Sequence, residues 1–339
     1  MNISDAICIE SVLGSGSSGT VYKAWHTRLK KHVVVKKLDH LAVKDVQTRR
    51  NETEALKNIR NAHVPQVLDY LTENDQSYTI TDFIEGVSLD KLLCSGKRFN
   101  EAQIIKWYAE LVSALIAVHS QNICHRDIKP ANIILTTGGD VCLIDFNSAF
   151  ISGNEARLVS RSLGYASPEQ YEYFRKFQGT QGAQGTQSAN AETELTDNAA
   201  LSYDTVQYTL GSTFAVSNTS RGHPGIDWKR SDIYSLGATM YHLLTGIRPS
   251  AQAEKIVPIS KVLMHRRYNK NLVSIIERSM QTDPSKRFKT ASQLAEAVKS
   301  INKDSARKKR SPTKKVVAIT VFAVVATAIL SHVVLSRKQ

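Results

Sequence analysis

The chain has few cysteines, and their number and spacing argue against a disulfide framework and against a structural zinc site. Only four cysteines occur in 339 residues, with no C-x-x-C pair, so neither a disulfide framework nor a zinc-ribbon site is expected. Cys124 and Cys142 stand in apolar stretches, and we expect both to be reduced and buried like small apolar side chains. Residues 1–10 lack a basic start followed by an apolar run, so we expect no cleavable signal peptide.

Acidic residues are fewer than basic ones, but the excess of positive charge is local. The formal charge is +13, to which residues 303–315 contribute +6 and residues 337–338 contribute +2. The rest of the chain is therefore only mildly basic. The basic run contains no aromatic residue for base stacking, and we expect no nucleic-acid partner.

Charge is absent from one long stretch near the C-terminus. Residues 316–335 read VVAITVFAVVATAILSHVVL, and 20 helical residues reach about 30 Å, the thickness of the hydrocarbon core of a bilayer. A buried helix is the alternative, but the run has no polar face. The basic strip at residues 303–315 outweighs the two cations that follow the run, which predicts a single membrane span with a cytoplasmic N-terminal body and a short external tail at 336–339.

Large apolar residues are scarce between about residues 175 and 225. The segment opens with the repeat QGTQGAQGTQ and continues rich in Ser, Thr, Asn and Gly. Such a composition buries too little apolar surface to offset the entropy of ordering. We expect a flexible insertion, either a solvated loop or a phosphorylated or partner-docking segment.

Two short motifs carry groups that suit phosphate chemistry. Residues 125–132 read HRDIKPAN, and Asp145-Phe146-Asn147 begins 13 residues after the first motif ends, directly behind the apolar run at 141–144. The first motif contributes an acidic, a cationic and an amide side chain, and the second motif contributes another acidic side chain. At this spacing the chain resembles the protein kinases in the eukaryote-like Ser/Thr (Hanks-type) form found in bacteria, and the resemblance covers roughly residues 9–302.

The resemblance implies a role for each of these groups. Asp127 would accept the proton of a substrate hydroxyl, and Lys129 would neutralise charge on the transferred phosphoryl group. Asn132 and Asp145 would hold Mg²⁺. Asn147 stands where the family has glycine.

A glycine-rich stretch follows the first predicted strand. Gly14-Ser15-Gly16-Ser17-Ser18-Gly19 fits G-x-G-x-x-G, which alone also fits a Rossmann fold. A Rossmann fold needs a helix next, whereas residues 21–25 read as a returning strand. Glycines on a hairpin let backbone N–H groups approach phosphates. We expect ATP to contact Leu13, Gly14, Ser15, Gly16, Ser17, Ser18, Gly19, Thr20 and Val21.

Further ATP contacts follow from the resemblance. Lys36, rather than its neighbour Lys37, matches the lysine on the α- and β-phosphates, and Val34 would line the adenine pocket. The backbone of Asp82 and Ile84 would pair with adenine.

The glutamate that pairs with Lys36 is either Glu52 or Glu54. We choose Glu52, because it places Leu56 and Ile59 at i+4 and i+7 on one helix face.

Downstream residues complete the resemblance. Ser162 stands where the family has a Thr that contacts the catalytic Asp and Lys, although Arg161 replaces the usual glycine before it. Glu169 is expected to pair with Arg287, and Asp232 to hold the backbone of the catalytic loop from a buried helix.

The sequence as a whole predicts an α+β, bilobal protein-kinase fold. Residues 1–84 form a β-rich N-lobe and residues 85–302 a helical C-lobe. The expected function is transfer of the ATP γ-phosphoryl group to Ser or Thr of protein substrates, with Mg²⁺, autophosphorylation and a cell-membrane location. The alternatives are a membrane-tethered pseudokinase scaffold that binds ATP and, less favoured, a small-molecule phosphotransferase.

The position of the apolar run generates a first prediction. Residues 1–303 alone should form a soluble, active enzyme, because every motif ends by Arg287, whereas the full chain should require detergent for extraction. Fractionation and ATP binding of the two forms check this. A truncated form that neither folds nor binds ATP, beside a full chain that does both, would show that the C-terminal run belongs to the fold.

Overall fold

The computed structural model describes most of the region that carries the motifs. The described residues are 6–16, 19–38, 54–73, 76–146, 150–151, 162–181, 226–265 and 267–309. Some predicted positions lie outside them, namely Ser17, Ser18, Glu52, Asn147, Arg161 and residues 182–225 and 316–335.

The N-terminal part is a five-stranded antiparallel sheet. Its strands are β1 (Ile7–Gly16), β2 (Gly19–His26), β3 (Lys31–Leu38), β4 (Val67–Glu73) and β5 (Gln76–Asp82). Their spatial order is β1-β2-β3-β5-β4. Alternating apolar residues from these strands form one small core, with Ala24, Val33, Val35 and Ile80 at its centre. The glycine stretch is a hairpin with Gly16 opposite Gly19, which excludes the Rossmann reading.

The C-terminal part is mainly helical. Its helices are α1 (Leu89–Cys94), α2 (Glu101–Ser120), α3 (Pro168–Gln181), α4 (Trp228–Thr245), α5 (Ile259–Val262), α6 (Lys270–Ser279) and α7 (Ala291–Lys309). Helix α2 begins at a capping box between Asn100 and Gln103. Helix α4 is buried along most of its length, so it forms the centre of the C-lobe. The expected two-lobed α+β architecture is confirmed.

Short strands in the C-lobe position the two catalytic motifs. Strands β6 (Gly86–Ser88), β8 (Ile133–Thr136) and β9 (Val141–Leu143) form one sheet. Strand β7 (Ile123–Cys124) pairs with β10 (Phe150–Ile151). Residues 125–132 therefore lie on the connection between β7 and β8, and Asp145 follows the end of β9.

Helix α3 extends further than the composition predicted. It begins at Pro168 and reaches Gln181, seven residues into the segment that we expected to be flexible from about residue 175. Proline suits the first helical turn, and Phe174 is buried against Cys124 and Trp228. This packing stabilises the part of the helix that lies before residue 178, where the low-complexity repeat begins.

No helix among the described residues is long and apolar enough to cross a bilayer. The predicted span at residues 316–335 lies outside these residues and stays a prediction.

A buried ion pair joins the start of α3 to the region before α7. The Arg287 guanidinium donates from both terminal nitrogens to the Glu169 carboxylate, with N···O distances of 2.7 and 2.8 Å. The Arg287 side chain is fully buried and also donates to the carbonyls of Gln281, Arg230 and Thr282. The predicted pairing of Glu169 with Arg287 is confirmed, and all donors of the buried cation are used.

This pair generates a second prediction. Arg287→Ala should lower the free energy of unfolding by about 3–5 kcal/mol, because it leaves Glu169 without its cation. Arg287→Lys should lower the free energy of unfolding by a smaller amount: it keeps the positive charge, but an ammonium group cannot reproduce the two parallel hydrogen bonds. Removing the exposed pair of Lys299 and Glu296 by Lys299→Ala should cost less than about 1 kcal/mol. Urea unfolding measures all three, and equal losses for Arg287→Ala and Lys299→Ala would contradict the prediction.

Candidate active site

The loop between β7 and β8 is attached to α4 through one carboxylate. Asp232, fully buried, accepts the backbone N–H groups of His125 at 2.8 Å and Arg126 at 2.7 Å. His119 Nε2 lies 2.9 Å from the same carboxylate. Three donors therefore balance a buried charge, as such a group requires. The predicted role of Asp232 is confirmed.

The backbone of this loop is held in an uncommon conformation. Arg126 has φ of 63°, which costs free energy for a residue with a Cβ. The Gln170 amide donates to the Arg126 carbonyl at 2.9 Å, and the Arg126 guanidinium lies 5.3 Å from the centre of the Trp228 ring. These contacts fix the turn that presents Asp127.

His125 connects the catalytic loop to the segment that carries Asp145. Its Nδ1 accepts the Asp127 N–H at 3.3 Å, so the ring hydrogen must reside on Nε2, which lies 3.1 Å from the Ile144 carbonyl. The His125 ring also packs against Phe146, with ring centres 4.7 Å apart. Asp127 and Asp145 are thus positioned relative to each other by one side chain.

Asp127 lies at the centre of the site. Its carboxylate accepts the Ser162 hydroxyl at 2.5 Å and lies 3.0 Å from Lys129 Nζ. Lys129 also donates to Ser162 at 3.0 Å, and the Asn132 amide donates to Asp127. The predicted contact of Ser162 with Asp127 and Lys129 is confirmed.

These contacts determine the protonation state of Asp127. Burial alone would raise the pKa of Asp127, but the charge of Lys129 and the hydrogen bond from Ser162 outweigh it and hold the pKa below its ordinary value. The group is therefore an ionised acceptor at neutral pH. A carboxylate with a lowered pKa is a weak base, so its main contribution is to orient a hydroxyl.

Asn132 and Asp145 are the two residues of the site that could hold a divalent cation. The Asn132 amide nitrogen donates to Asp127, so its carbonyl oxygen is the atom that could bind a metal. Asp145 has φ of 66°, and its partly exposed carboxylate lies 3.9 Å from Lys36 Nζ. One amide oxygen and one carboxylate fit Mg²⁺, which keeps water and phosphate oxygens as its other ligands.

Lys36 is buried on β3, although it is a charged residue. It approaches Asp145 from the other lobe, so a nucleotide phosphate beside this pair would meet both a cation and a candidate metal ligand. The predicted partner Glu52 lies outside the described residues. Glu54, the alternative, pairs with Lys57 at 3.0 Å.

The glycine hairpin lies at the ends of β1 and β2. Gly14, Gly16 and Gly19 belong to these strands, and Gly19 has φ of 118°, which favours glycine. Ser15 and Thr20 are joined by their hydroxyls at 3.3 Å. Leu13 is half exposed, and Val21 and Val34 are partly exposed.

The predicted adenine-contacting backbone lies at the end of β5. The Asp82 N–H donates to the Gln66 carbonyl at 3.0 Å. Of the two Asp82 backbone groups, only the carbonyl is therefore suited to adenine. Ile84 follows on the connection to β6.

Two positioning residues have no signal in the sequence motifs. The Tyr171 hydroxyl accepts the Gly164 N–H at 2.9 Å and donates to the Ser162 carbonyl at 3.3 Å. Gln170 precedes it on α3 and holds Arg126. Both follow the recognised Ser-Pro-Glu string, where helix periodicity alone does not show which side chains turn toward the catalytic loop.

Comparison with known proteins agrees with this geometry. The family model described as protein kinase domain matches residues 8–180, just over half of the chain. A probable serine/threonine-protein kinase of Clostridium acetobutylicum is 32% identical over 176 residues, which are 50% of this chain and 27% of that protein.

Longer matches are found in two other bacterial proteins. Probable serine/threonine-protein kinases of Clostridium perfringens and Streptomyces coelicolor are 27% and 25% identical over 308 residues. These matches cover 86% and 84% of this chain and 38% of each relative. The chain thus matches about a quarter to two fifths of the length of these relatives, and it belongs to the protein kinase domain family.

Proposed function

We propose that this chain is a protein serine/threonine kinase that transfers the ATP γ-phosphoryl group to protein hydroxyls with the help of Mg²⁺. The observation that carries the proposal is the set of contacts around Asp127. An ionised carboxylate, an ammonium and a metal-binding amide meet within hydrogen-bonding distance. The relatives named as serine/threonine kinases support the choice of acceptor.

Each residue of the site has a defined task in this reaction. Asp127 accepts the hydrogen bond of the substrate hydroxyl and orients the oxygen for in-line attack. Lys129, 3.0 Å from Asp127, offers positive charge to the transferred phosphoryl group. Lys36 offers a second cation on the nucleotide side. Mg²⁺, held by Asn132 and Asp145, would neutralise phosphate charge.

Two further properties are part of the proposal. The uncharged residues 316–335, preceded by a basic strip, support a single membrane anchor with the kinase domain in the cytoplasm. Autophosphorylation is supported by the hydroxyl-rich segment between α3 and α4, which contains many Ser and Thr residues.

Removing either acid should greatly slow or abolish the reaction, for a different reason in each case. Asp127→Asn should lower kcat by about 10²–10⁴-fold, because the acceptor hydroxyl loses its base and its orientation. Asp145→Asn should abolish Mg²⁺-dependent transfer. Asp140→Asn is the matched control, since Asp140 is exposed on the turn between β8 and β9 and pairs with Lys106.

The measurement is Mg²⁺-dependent transfer of labelled phosphate from ATP, with nucleotide binding followed in parallel. An inactive wild-type protein that still binds ATP would contradict the proposal and favour the pseudokinase scaffold.

The hydroxyl of Ser162 provides a separate test. Ser162→Ala removes the group that links Asp127 to Lys129, and kcat should fall about 10- to 150-fold, the equivalent of one charge-assisted hydrogen bond of about 1.5–3 kcal/mol. Ser162→Thr keeps the hydroxyl and should retain most of the activity. Steady-state kinetics at varied ATP decide the matter, and equal rates for the Ala and Thr variants would show that the hydroxyl has no part in positioning Asp127.

A further inference from the structure

Residues 162–166 lie beside Asp127 and are held by several hydrogen bonds, and we call this segment the floor. Residues 162–166 run from the hydroxyl on Asp127 to Tyr165, whose own hydroxyl lies 2.6 Å from His242 Nδ1 near the end of α4. Gly164 is held by the Tyr171 hydroxyl. A substrate hydroxyl that reaches Asp127 brings the neighbouring substrate residues over this floor.

Arg248 packs beside the floor, next to Gly164. Gly164 has φ of +81°, and a Cβ there would lie 2.3 Å from the Pro249 carbonyl oxygen and 3.3 Å from Arg248 Cγ. The loop after α4 therefore packs in contact with Gly164. Because Gly164 is two residues from Ser162, the contact is at most about 7 Å of chain from the acceptor site.

Arg98 reaches the same loop from the segment before α2. A Cβ on Gly246, the residue that ends α4 with φ of +73°, would lie 2.7 Å from both Nε and Cζ of Arg98. Gly246 and Arg248 are two residues apart, and the charges of Arg98 and Arg248 both act on the His242 ring, so the two arginines lie near the same end of α4.

The charge of this surface is positive and not balanced by a nearby acid. Arg98 and Arg248 are both exposed, and neither pairs with a carboxylate of the described residues. Glu101, the acid nearest to Arg98 in sequence, accepts the Asn269 N–H with both oxygens.

His242 adds no positive charge to this surface. Burial, followed by the charges of Arg248 and Arg98, lowers the pKa of His242 to about 4, so the ring is neutral at pH 7 and shares a hydrogen bond with the Tyr165 hydroxyl through Nδ1. The positive charge comes from the two arginines alone.

We propose that Arg98 and Arg248 form a substrate subsite that selects an acidic residue, Asp or Glu, close to the Ser or Thr that is phosphorylated. This inference rests on the proposed kinase function and names a class of substrate for it. A guanidinium suits a carboxylate because it presents paired N–H donors in one plane. Exposed pairs are individually weak, and the two arginines together should contribute a several-fold preference.

The test uses synthetic peptides with one Ser, one Glu and otherwise neutral residues. In a near series the Glu is moved from four residues before to four residues after the Ser, and in a far peptide it stands eight residues away, so that all peptides have the same net charge. With the full chain in detergent, kcat/KM should be about three- to tenfold higher for the best near peptide than for the far one. The ratio should shrink as salt rises from 0.05 to 0.5 M.

Variants assign the effect to the two arginines. The double change Arg98→Gln and Arg248→Gln should reduce the near-to-far ratio to less than about twofold, whereas Arg98→Lys and Arg248→Lys should keep more of it, because they retain the charge. Arg267→Gln, an exposed arginine before α6, removes the same charge elsewhere and should keep the wild-type ratio. Arg248→Glu should shift the preference to peptides in which Lys replaces Glu.

Two outcomes would overturn this inference alone, and a third would also contradict the proposed function. A ratio near one in the wild-type protein, or a wild-type ratio in the Gln variant, means that these arginines do not select substrates. Phosphate transfer to no peptide and no protein would overturn the proposed kinase function as well, and transfer to the far peptide, whose Glu stands eight residues from the Ser, distinguishes this case.

Discussion

The carboxylate of Asp232 fixes the geometry on which the whole site depends. It is buried in α4, and a buried charge of this kind costs several kcal/mol unless donors surround it. His119 and the N–H groups of His125 and Arg126 supply them. The contacts of Asp232 with the His125 and Arg126 N–H groups, together with those of Gln170 and Trp228, hold Arg126 in its left-handed conformation and thereby position Asp127. One acid in the core of the C-lobe thus helps to offset the strain of the catalytic turn.

A second set of contacts couples the two lobes behind the site. The Asn61 amide donates to the Ser113 hydroxyl of α2, His63 Nδ1 lies 2.9 Å from the Val141 carbonyl, and the Leu143 N–H donates to the His63 carbonyl. This connection ties the N-lobe to β9, directly before Asp145. On the nucleotide side of the site, Lys36 Nζ and the Asp145 carboxylate are 3.9 Å apart, which is long for an ion pair. The lobes are therefore joined firmly at the back, and the nucleotide side depends on longer electrostatic contacts.

The resemblance carried by the short motifs predicted the catalytic contacts well. Ser162, Glu169 and Asp232 all make the contacts expected of them. Contacts that involve residues outside the motifs could not be predicted, as with Tyr165 and His242 at a separation of 77 residues. Composition also failed at α3, where burial of Phe174 extends order into a polar segment. Tertiary packing decided each of these cases, and a local pattern carries no information about it.

The contacts that hold the catalytic side chains are separate from the exposed charges that we propose to select the substrate. Asp127, Lys129 and Asn132 are held by groups of the catalytic loop, α3 and α4, so changes on the outer surface leave their positions intact. The loop after α4, in contrast, packs against Gly164 while the side chain of its arginine, Arg248, is exposed. Because exposed charges there bear no part of the buried hydrogen-bond network, they can be exchanged at little cost in stability. The fold therefore allows the charge that meets a substrate to vary independently of the residues that perform the transfer.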